Sequence, residues 1–581
     1  MKRLSSIPLM ISSLAVGGIT VTPLWSQTDT LQMDVTFVGN RQMEVRDAVK
    51  LSSWPTARPL SMSKPVLSYE LLSKRLQFEP SMTPIEATRL RVDPALSRLY
   101  RGYVRAAAGT RGTTLVDASF TDLRSRDGSW GTAFHHNATN GPSSLLTGRL
   151  KDNSLDAWVS RFVGKEKISF QVNAGQNQVL MYGFDSLRVD SALTPNAAPT
   201  VVWSHAMLAT KLKSHKTGEN DFNHEVDIQL GWLGNDLGAH ERTLGVSANA
   251  HRVFGEFQGK LDVDLQFDQY GANEEESANQ AVVVVEPNLS THKGPLNINA
   301  GLGLAIDADQ PTRDGVGDSF HLYPRAELSI NLLRNLFVPY GRIGGDLMAN
   351  NFHSLTQNNS FYAPASLGTT SSGQGFRSTN KRLALAGGLR GTVTQVFRFH
   401  GYFSTANYED FVLFRPTSRE AGAEAMFTFD AVYDTLTIRT LGGEAEFDLG
   451  ENWSFAGGAK LLSYNTSNEQ RAWNLPKASW NASATYTLIE GLEISADATY
   501  IGERFSVLQS DDYGETSQLP DGSYQINLPG FLDLNITTQY TYNDRLGGWL
   551  TFANVANAKY AEWGGFPVQG FQVLAGVHYA F

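Results

Sequence analysis

Few residues in this chain combine in a way that suggests catalysis or metal binding. His135 and His136 are adjacent in what reads as an extended segment, so they point to opposite faces and cannot chelate one metal together. His240 stands beside Glu241 between two extended runs, and a solvated loop pair is the plainer reading of both. Asp511, Asp512 and Glu515 offer carboxylates that suit calcium, although acidic loops commonly hold no ion. No Ser, His and Asp set stands out by spacing, and geometry rather than spacing defines one. There is no cysteine, which removes disulfides, zinc-thiolate sites, cysteine nucleophiles and lipoprotein-type lipidation. The expectation is a protein that is no enzyme and uses no metal and no cofactor.

Another set of charged residues stands out by pattern. Lys260, Asp262 and Asp264 occupy alternate positions between Phe257, Leu261, Val263, Leu265 and Phe267. Asp497 sits in the same way within Leu492–Tyr500, and Asp533 within Leu532–Tyr542. A strand presents one face every second residue. Each of these segments is therefore a strand with one apolar and one charged or amide face, which is hard to place in the core of a sandwich. In a transmembrane barrel the apolar row faces lipid and the polar row faces the lumen. The five residues are therefore candidate lumen-lining groups. They are either hydrated wall residues or partners for a segment inserted into the barrel.

The elements that would hold them repeat along the chain. Glu225–Trp232 and Trp480–Leu488 are weaker copies of the pattern. The last stretch, Phe571–Phe581, puts Phe571, Val573, Ala575, Val577, Tyr579 and Phe581 in one row and ends the sequence on an aromatic residue. Aromatic residues collect at the two membrane interfaces of such barrels. The connections alternate in length. Tight turns centre on 543–545, 490–491, 450–452, 392–395, 333–335, 291–295, 254–256, 164–167 and 125–128. Longer loops lie between them at 559–570, 506–530, 464–477, 406–434, 349–381, 307–319, 269–280, 233–242, 185–205 and 137–154. Two connections depart from this: 213–223 is long where a tight turn is due, and the first outer loop, near Arg111, is very short. The parity gives an all-β transmembrane antiparallel barrel of about 22 strands (20 to 24 acceptable), with short periplasmic turns and longer extracellular loops. Loop 349–381 is rich in Ser, Thr, Asn and Gly and contains Phe352, Phe361, Tyr362 and Phe376; it suits a lid, a docking surface or a plain hydrophilic loop.

Composition agrees with this class. The chain has 581 residues, with hydrophobic content of 41% and aromatic content of 11%. Its 53 Gly and 20 Tyr suit many strand–turn junctions. Mean hydropathy is negative, which excludes a bundle of membrane helices, and a net charge of −10 argues against a nucleic-acid surface. Lys2 and Arg3 followed by the short apolar run Ile7–Val21 form a secretory signal, so residues 1–27 read as a signal peptide. Residues 28–97 carry Pro55, Pro59, Pro65, Pro80, Pro84 and Pro94 and read as a proline-rich periplasmic or lumenal arm. The barrel is expected over 98–581.

The sequence near the C-terminus resembles a known family. Asn554, Asn557 and Tyr560 within 552–560, followed by 570–576 and the terminal aromatic, are similar to the signature that ends TonB-dependent receptors. Leu99–Arg105, Gly128–His136 and Ala48–Lys50 with the proline-rich run resemble a plug-less branch common in Bacteroidota. The resemblance implies a 22-stranded outer-membrane barrel in a Gram-negative envelope, inserted by the barrel assembly machinery and surrounded by outer-membrane lipid. The arm is too short for the plug domain of a full receptor and lacks its Gly-Arg turns. Asp29–Met33 is only faintly similar to the box that TonB grips, so TonB as a partner stays open. A wide barrel needs something in its lumen: the arm, inward-folded loops, or an envelope protein or surface lipoprotein partner. The implied role is transport of a solute through a gated lumen; the alternative is a non-transporting scaffold that anchors an envelope complex.

Overall fold

A computed structural model describes residues 99–581 apart from short breaks, of which the longer are 142–148, 184–198, 365–368 and 509–516. The signal segment 1–27 and the arm 28–97 lie outside the described residues, as does the Asp511, Asp512 and Glu515 group. The alternating segments form one closed sheet of 22 strands. Each strand pairs antiparallel with its neighbour in sequence, beginning at Gly102–Gly109 and ending at Gln572–Ala580. These two terminal strands pair with each other, Tyr103 opposite Ala580 and Gly109 opposite Leu574. Gly102 and Phe581 exchange backbone hydrogen bonds of 2.9 Å in both directions. Among the described residues every barrel strand has a paired neighbour on each side, so the backbone largely satisfies itself around the girdle, as a non-aqueous surrounding demands. The shortest seam joins Gly315–Ile330 to Val338–Met348, paired only from Ala326 to Ser329 against Tyr340 to Ile343.

The side-chain alternation follows. Leu261, Leu265 and Phe267 are exposed on one face of Phe257–Gly271, and Val577, Tyr579 and Phe581 on the last strand. Leu155, Val159, Val172, Leu230, Leu441 and Leu461 continue this outward apolar band round the barrel. Trp130, Trp453 and Tyr540 at one end, and Trp232 and Trp480 at the other, are exposed where aromatic girdles belong. A barrel closed in this way, with large apolar side chains exposed on its outside, spans an outer membrane. No helix among the described residues is long and apolar enough to cross a membrane.

The two ends differ as the loop parity expects. Two-residue connections at 164–165, 255–256, 294–295 and 490–491 join strands at the end where both chain termini of the barrel lie. Gly164, Gly255 and Gly294 there have φ of 65°, 63° and 60°, a region closed to most side chains. The turn between Ser214 and Asn223 is indeed long, held by Asn223 and Ser214 side chains.

Two expected loops are strand instead. Residues 406–421 and 424–434 belong to the paired strands Phe397–Ala421 and Glu424–Leu449, which are 25 and 26 residues long. Residues 307–312 and 315–319 likewise belong to the strands Leu296–Thr312 and Gly315–Ile330. In both places the register shifts, between Tyr408 and Phe411 and between Asp307 and Gln310. A bulge interrupts the period of two without ending the strand, and the interrupted period resembles a loop in the sequence.

Candidate functional site

The polar face of the strand wall, opposite the exposed apolar row, holds charge in paired rows. Lys260 Nζ lies 2.9 Å from Asp262 Oδ2. Asn249 donates to Asp262 and Ser247 Oγ donates to Asp264 Oδ1 at 2.5 Å. These pairs stand opposite one another across adjacent strands, as the register dictates. One strand further on, Glu286 stands opposite Asp262 and pairs with Arg325, which also lies 3.8 Å from Asp346. Arg325 reaches over Gly303, where a Cβ would sit 3.2 Å from its Nε. Lys260, Asp262 and Asp264 are thus brought together in one charged row on the face opposite Leu261 and Leu265. Asp497 stands elsewhere on the wall, in a row with Ser483 and Asn535. Asp533 is buried under the last outer loop and accepts a 2.8 Å hydrogen bond from Tyr560 Oη.

The residues that sequence reasoning largely missed lie at the outer mouth. Loop 349–378 begins with the helix Phe352–Asn358, capped by Asn351, whose side chain accepts from Ser354 N while Ser354 Oγ accepts from Asn351 N. This capping box satisfies two of the free amides at the helix start. Phe352 and Leu355, three residues apart, face the same way and are fully buried. Phe361, Tyr362 and Phe376 are buried with them.

Their partners come from separate arcs of the rim. Phe352 packs on Trp203 and Tyr270, which end the strands Thr200–Ser214 and Phe257–Gly271 near the outer side. Phe376 stacks on Tyr270 at 4.7 Å. Phe361 stacks on Phe566 of the last loop with centroids 3.8 Å apart, and Tyr182 closes on both rings. Tyr182 Oη also donates to Pro567 O at 3.0 Å. The long hairpin supplies Phe414, Met426 and Phe429 to the same core. Thr428 Oγ1 joins loop to hairpin, accepting from Ala363 N at 3.0 Å and donating to Phe361 O at 2.8 Å. One apolar core thus connects loops from several parts of the barrel mouth. The sequence signal was the aromatic residues of loop 349–381; it could not say what they would meet.

Other sequence candidates resolve plainly. His135 Nδ1 contacts Asp117 Oδ1 at 2.5 Å, whereas His136 meets Asn153 Oδ1 at 2.6 Å on the other face. Glu241 is no solvated loop residue: it starts the strand His240–Phe254 and is buried beneath the loop helix. The Asn554, Asn557 and Tyr560 motif shapes the last loop. Both asparagines have positive φ, at 47° and 49°. Asn554 Oδ1 accepts from Ala558 N at 2.8 Å, and Asn557 Oδ1 from Phe571 N at 3.0 Å. Asparagine tolerates that backbone region because its short amide bonds locally. Tyr560 stacks on Phe531 at 3.6 Å.

Two titratable loop groups are displaced from their ordinary values. Burial pushes the Glu562 carboxyl up to about 7, opposed in part by Arg504, whose guanidinium donates to the carbonyls of Ala561 and Glu562. Burial in the loop helix, with His205 nearby, lowers His353 to about 4.

No protein-family model and no curated protein matches this sequence. Solved structures do match in fold. The FrpB iron transporter of Neisseria meningitidis (F3-3 variant) superposes with a TM-score of 0.62 at 12% identity, over 84% of this chain and 82% of its own. The siderophore receptor PirA of Acinetobacter baumannii gives 0.63 at 10% identity, over 84% and 81%. The copper transporter OprC gives 0.60 at 12% identity, over 84% of each chain. By name these neighbours are two transporters and a receptor, and this chain shares their fold.

Proposed function

We propose that this barrel is an outer-membrane transporter of TonB-dependent-receptor type, passing a solute through a lumen that the joined outer loops keep shut. The observation behind this reading is the apolar core at the mouth, in which Phe352, Phe361 and Phe376 of one loop meet Trp203, Tyr270 and Phe566 from separate arcs of the rim. A sealing core in which loop 349–378 and the last loop pack on the outer ends of the strands can open by loop movement, without disturbing the strand girdle below. In the same proposal Lys260, Asp262, Asp264, Asp497 and Asp533 line the passage. The plug-less form, suggested by the motifs at 99–105 and 128–136, belongs to the proposal too, as does energisation by TonB.

The test is single-channel conductance in planar bilayers. Intact protein is compared with one in which 352–376 is replaced by a short Gly-Ser linker, and with one lacking 28–97. A closed parent and a conducting loop deletion support a gated passage. If all three forms stay closed, the wall itself is sealed, the transport reading fails, and a barrel that anchors an envelope complex replaces it.

A further inference from the structure

Beneath the loop helix the wall buries two carboxylates side by side. Glu241 and Asp268 are 2% and 0% exposed. They lie on adjacent strands, where Glu241 stands opposite Tyr270 and Asp268 opposite Thr243. Neither carboxylate forms an ion pair with a Lys, Arg or His side chain among the described residues. Their hydrogen bonds come from neutral groups and most are long. Thr243 Oγ1 donates to Glu241 at 3.4 Å and His353 N at 3.3 Å. Asn351 Nδ2 donates to Asp268 at 3.3 Å and Gln266 Nε2 at 2.6 Å. The Phe352 amide also faces Glu241 and the Thr243 hydroxyl also faces Asp268, both neutral groups. Neutral donors at such distances do not compensate two desolvated charges, and adjacent carboxylates oppose each other's ionisation.

A second observation points to what completes the site. Gln280 stands in register with Asp268 on the next strand and is 1% exposed. Its Nε2 donates to Ser378 Oγ at 2.7 Å, while its Oε1 is buried without a hydrogen-bond partner. A buried acceptor normally finds a donor. A neutral donor or a cation would satisfy this amide oxygen; the two carboxylates without a cation beside it favour the cation. Two carboxylates, an amide oxygen and the Thr243 hydroxyl are all hard oxygen ligands, the set that calcium takes at six to eight positions.

We propose that Glu241, Asp268, Gln280 and Thr243 form a calcium-class divalent cation site. Such an ion staples loop 349–378 to the wall from both ends. Asn351 and His353, at the loop's start, bond the carboxylates, and Ser378, at its end, bonds Gln280. The site depends only on the closed arrangement of the mouth, not on what crosses the lumen.

The experiment uses the full-length protein in detergent, stripped with chelator and titrated with Ca²⁺. The readouts are terbium luminescence sensitised by nearby Tyr270 and Trp203, and protease protection of loop 349–378. Saturable binding is expected, with slower cleavage of the loop. Glu241→Gln and Asp268→Asn should each weaken binding at least about tenfold, because affinity follows ligand charge. Gln280→Glu should tighten it and keeps the test open should a neutralised variant fold poorly. Absence of saturable binding, with loop protection indifferent to Ca²⁺ in the parent, overturns the proposal. Tighter loop closure in Asp268→Asn without any ion overturns it too, and assigns the pair a shared proton instead.

Discussion

Phe361→Ala should unseal the mouth while leaving the barrel intact. The ring is fully buried, stacked at 3.8 Å on Phe566 and edge-on to Tyr182. It bridges loop 349–378 to the last loop, so in the proposed gate its loss removes a contact belonging to the closed mouth alone. Truncating a buried phenylalanine costs about 3–5 kcal/mol, through lost transfer energy and the cavity left behind. The strand girdle does not rest on this ring, so the cost falls on the loop core. At about 1.4 kcal/mol per tenfold change, the ratio of closed to open mouth drops by roughly two to four decades. Limited proteolysis of loop 349–378 reads the population directly, and planar-bilayer conductance reads its consequence. Phe267→Ala removes a similar ring from the lipid-facing row and should change neither. Unchanged loop protection in Phe361→Ala would refute the claim that this core holds the mouth shut.

Other expectations follow from charge and depth. The Glu562 carboxyl is raised from 4.5 to about 7 by burial. Its contribution to loop stability is therefore present below about pH 4.5 and lost as pH rises through about 7, by up to roughly 3 kcal/mol. Glu562→Gln should abolish that slope in protease protection measured from pH 5 to 8; a slope that persists assigns it to another group. His353, lowered to about 4, contributes stability that is present above about pH 6.5 and is lost as pH falls toward 4. His353→Gln should flatten the acid side of the same profile. On the lipid face, Leu265→Arg should cost about 2–4 kcal/mol in liposome refolding, whereas a substitution there that folds like the parent would move the membrane boundary. Arg325→Met leaves Glu286 and Asp346 without their shared cation and should lower stability by about 3–5 kcal/mol, read as the urea midpoint of the heat-modifiable band.

Local pattern alone determined a great deal. The period of two in Phe257–Phe267, Leu492–Tyr500 and Phe571–Phe581 specifies both strand and face, because a barrel strand has one neighbour medium on each side. Turn length told the two ends apart, and its parity gave an even strand number; the pairing of the first strand with the last is seen in the structure. The same locality explains the misreadings. At Glu409 and Asp410 the period lapses, Asp410 takes φ of 50°, and the strand continues through a bulge that sequence alone reads as its end. Glu241 looked solvated because nothing adjacent in sequence covers it. Only the tertiary structure decided what stands over it: a helix encoded more than a hundred residues later, with His353 N donating to its carboxylate. The aromatic residues of loop 349–381 were visible in the sequence, but Trp203, Tyr270, Phe429 and Phe566 become their neighbours only once the sheet has closed into a ring. Faces are set by residues two apart, and the mouth is set by residues hundreds apart.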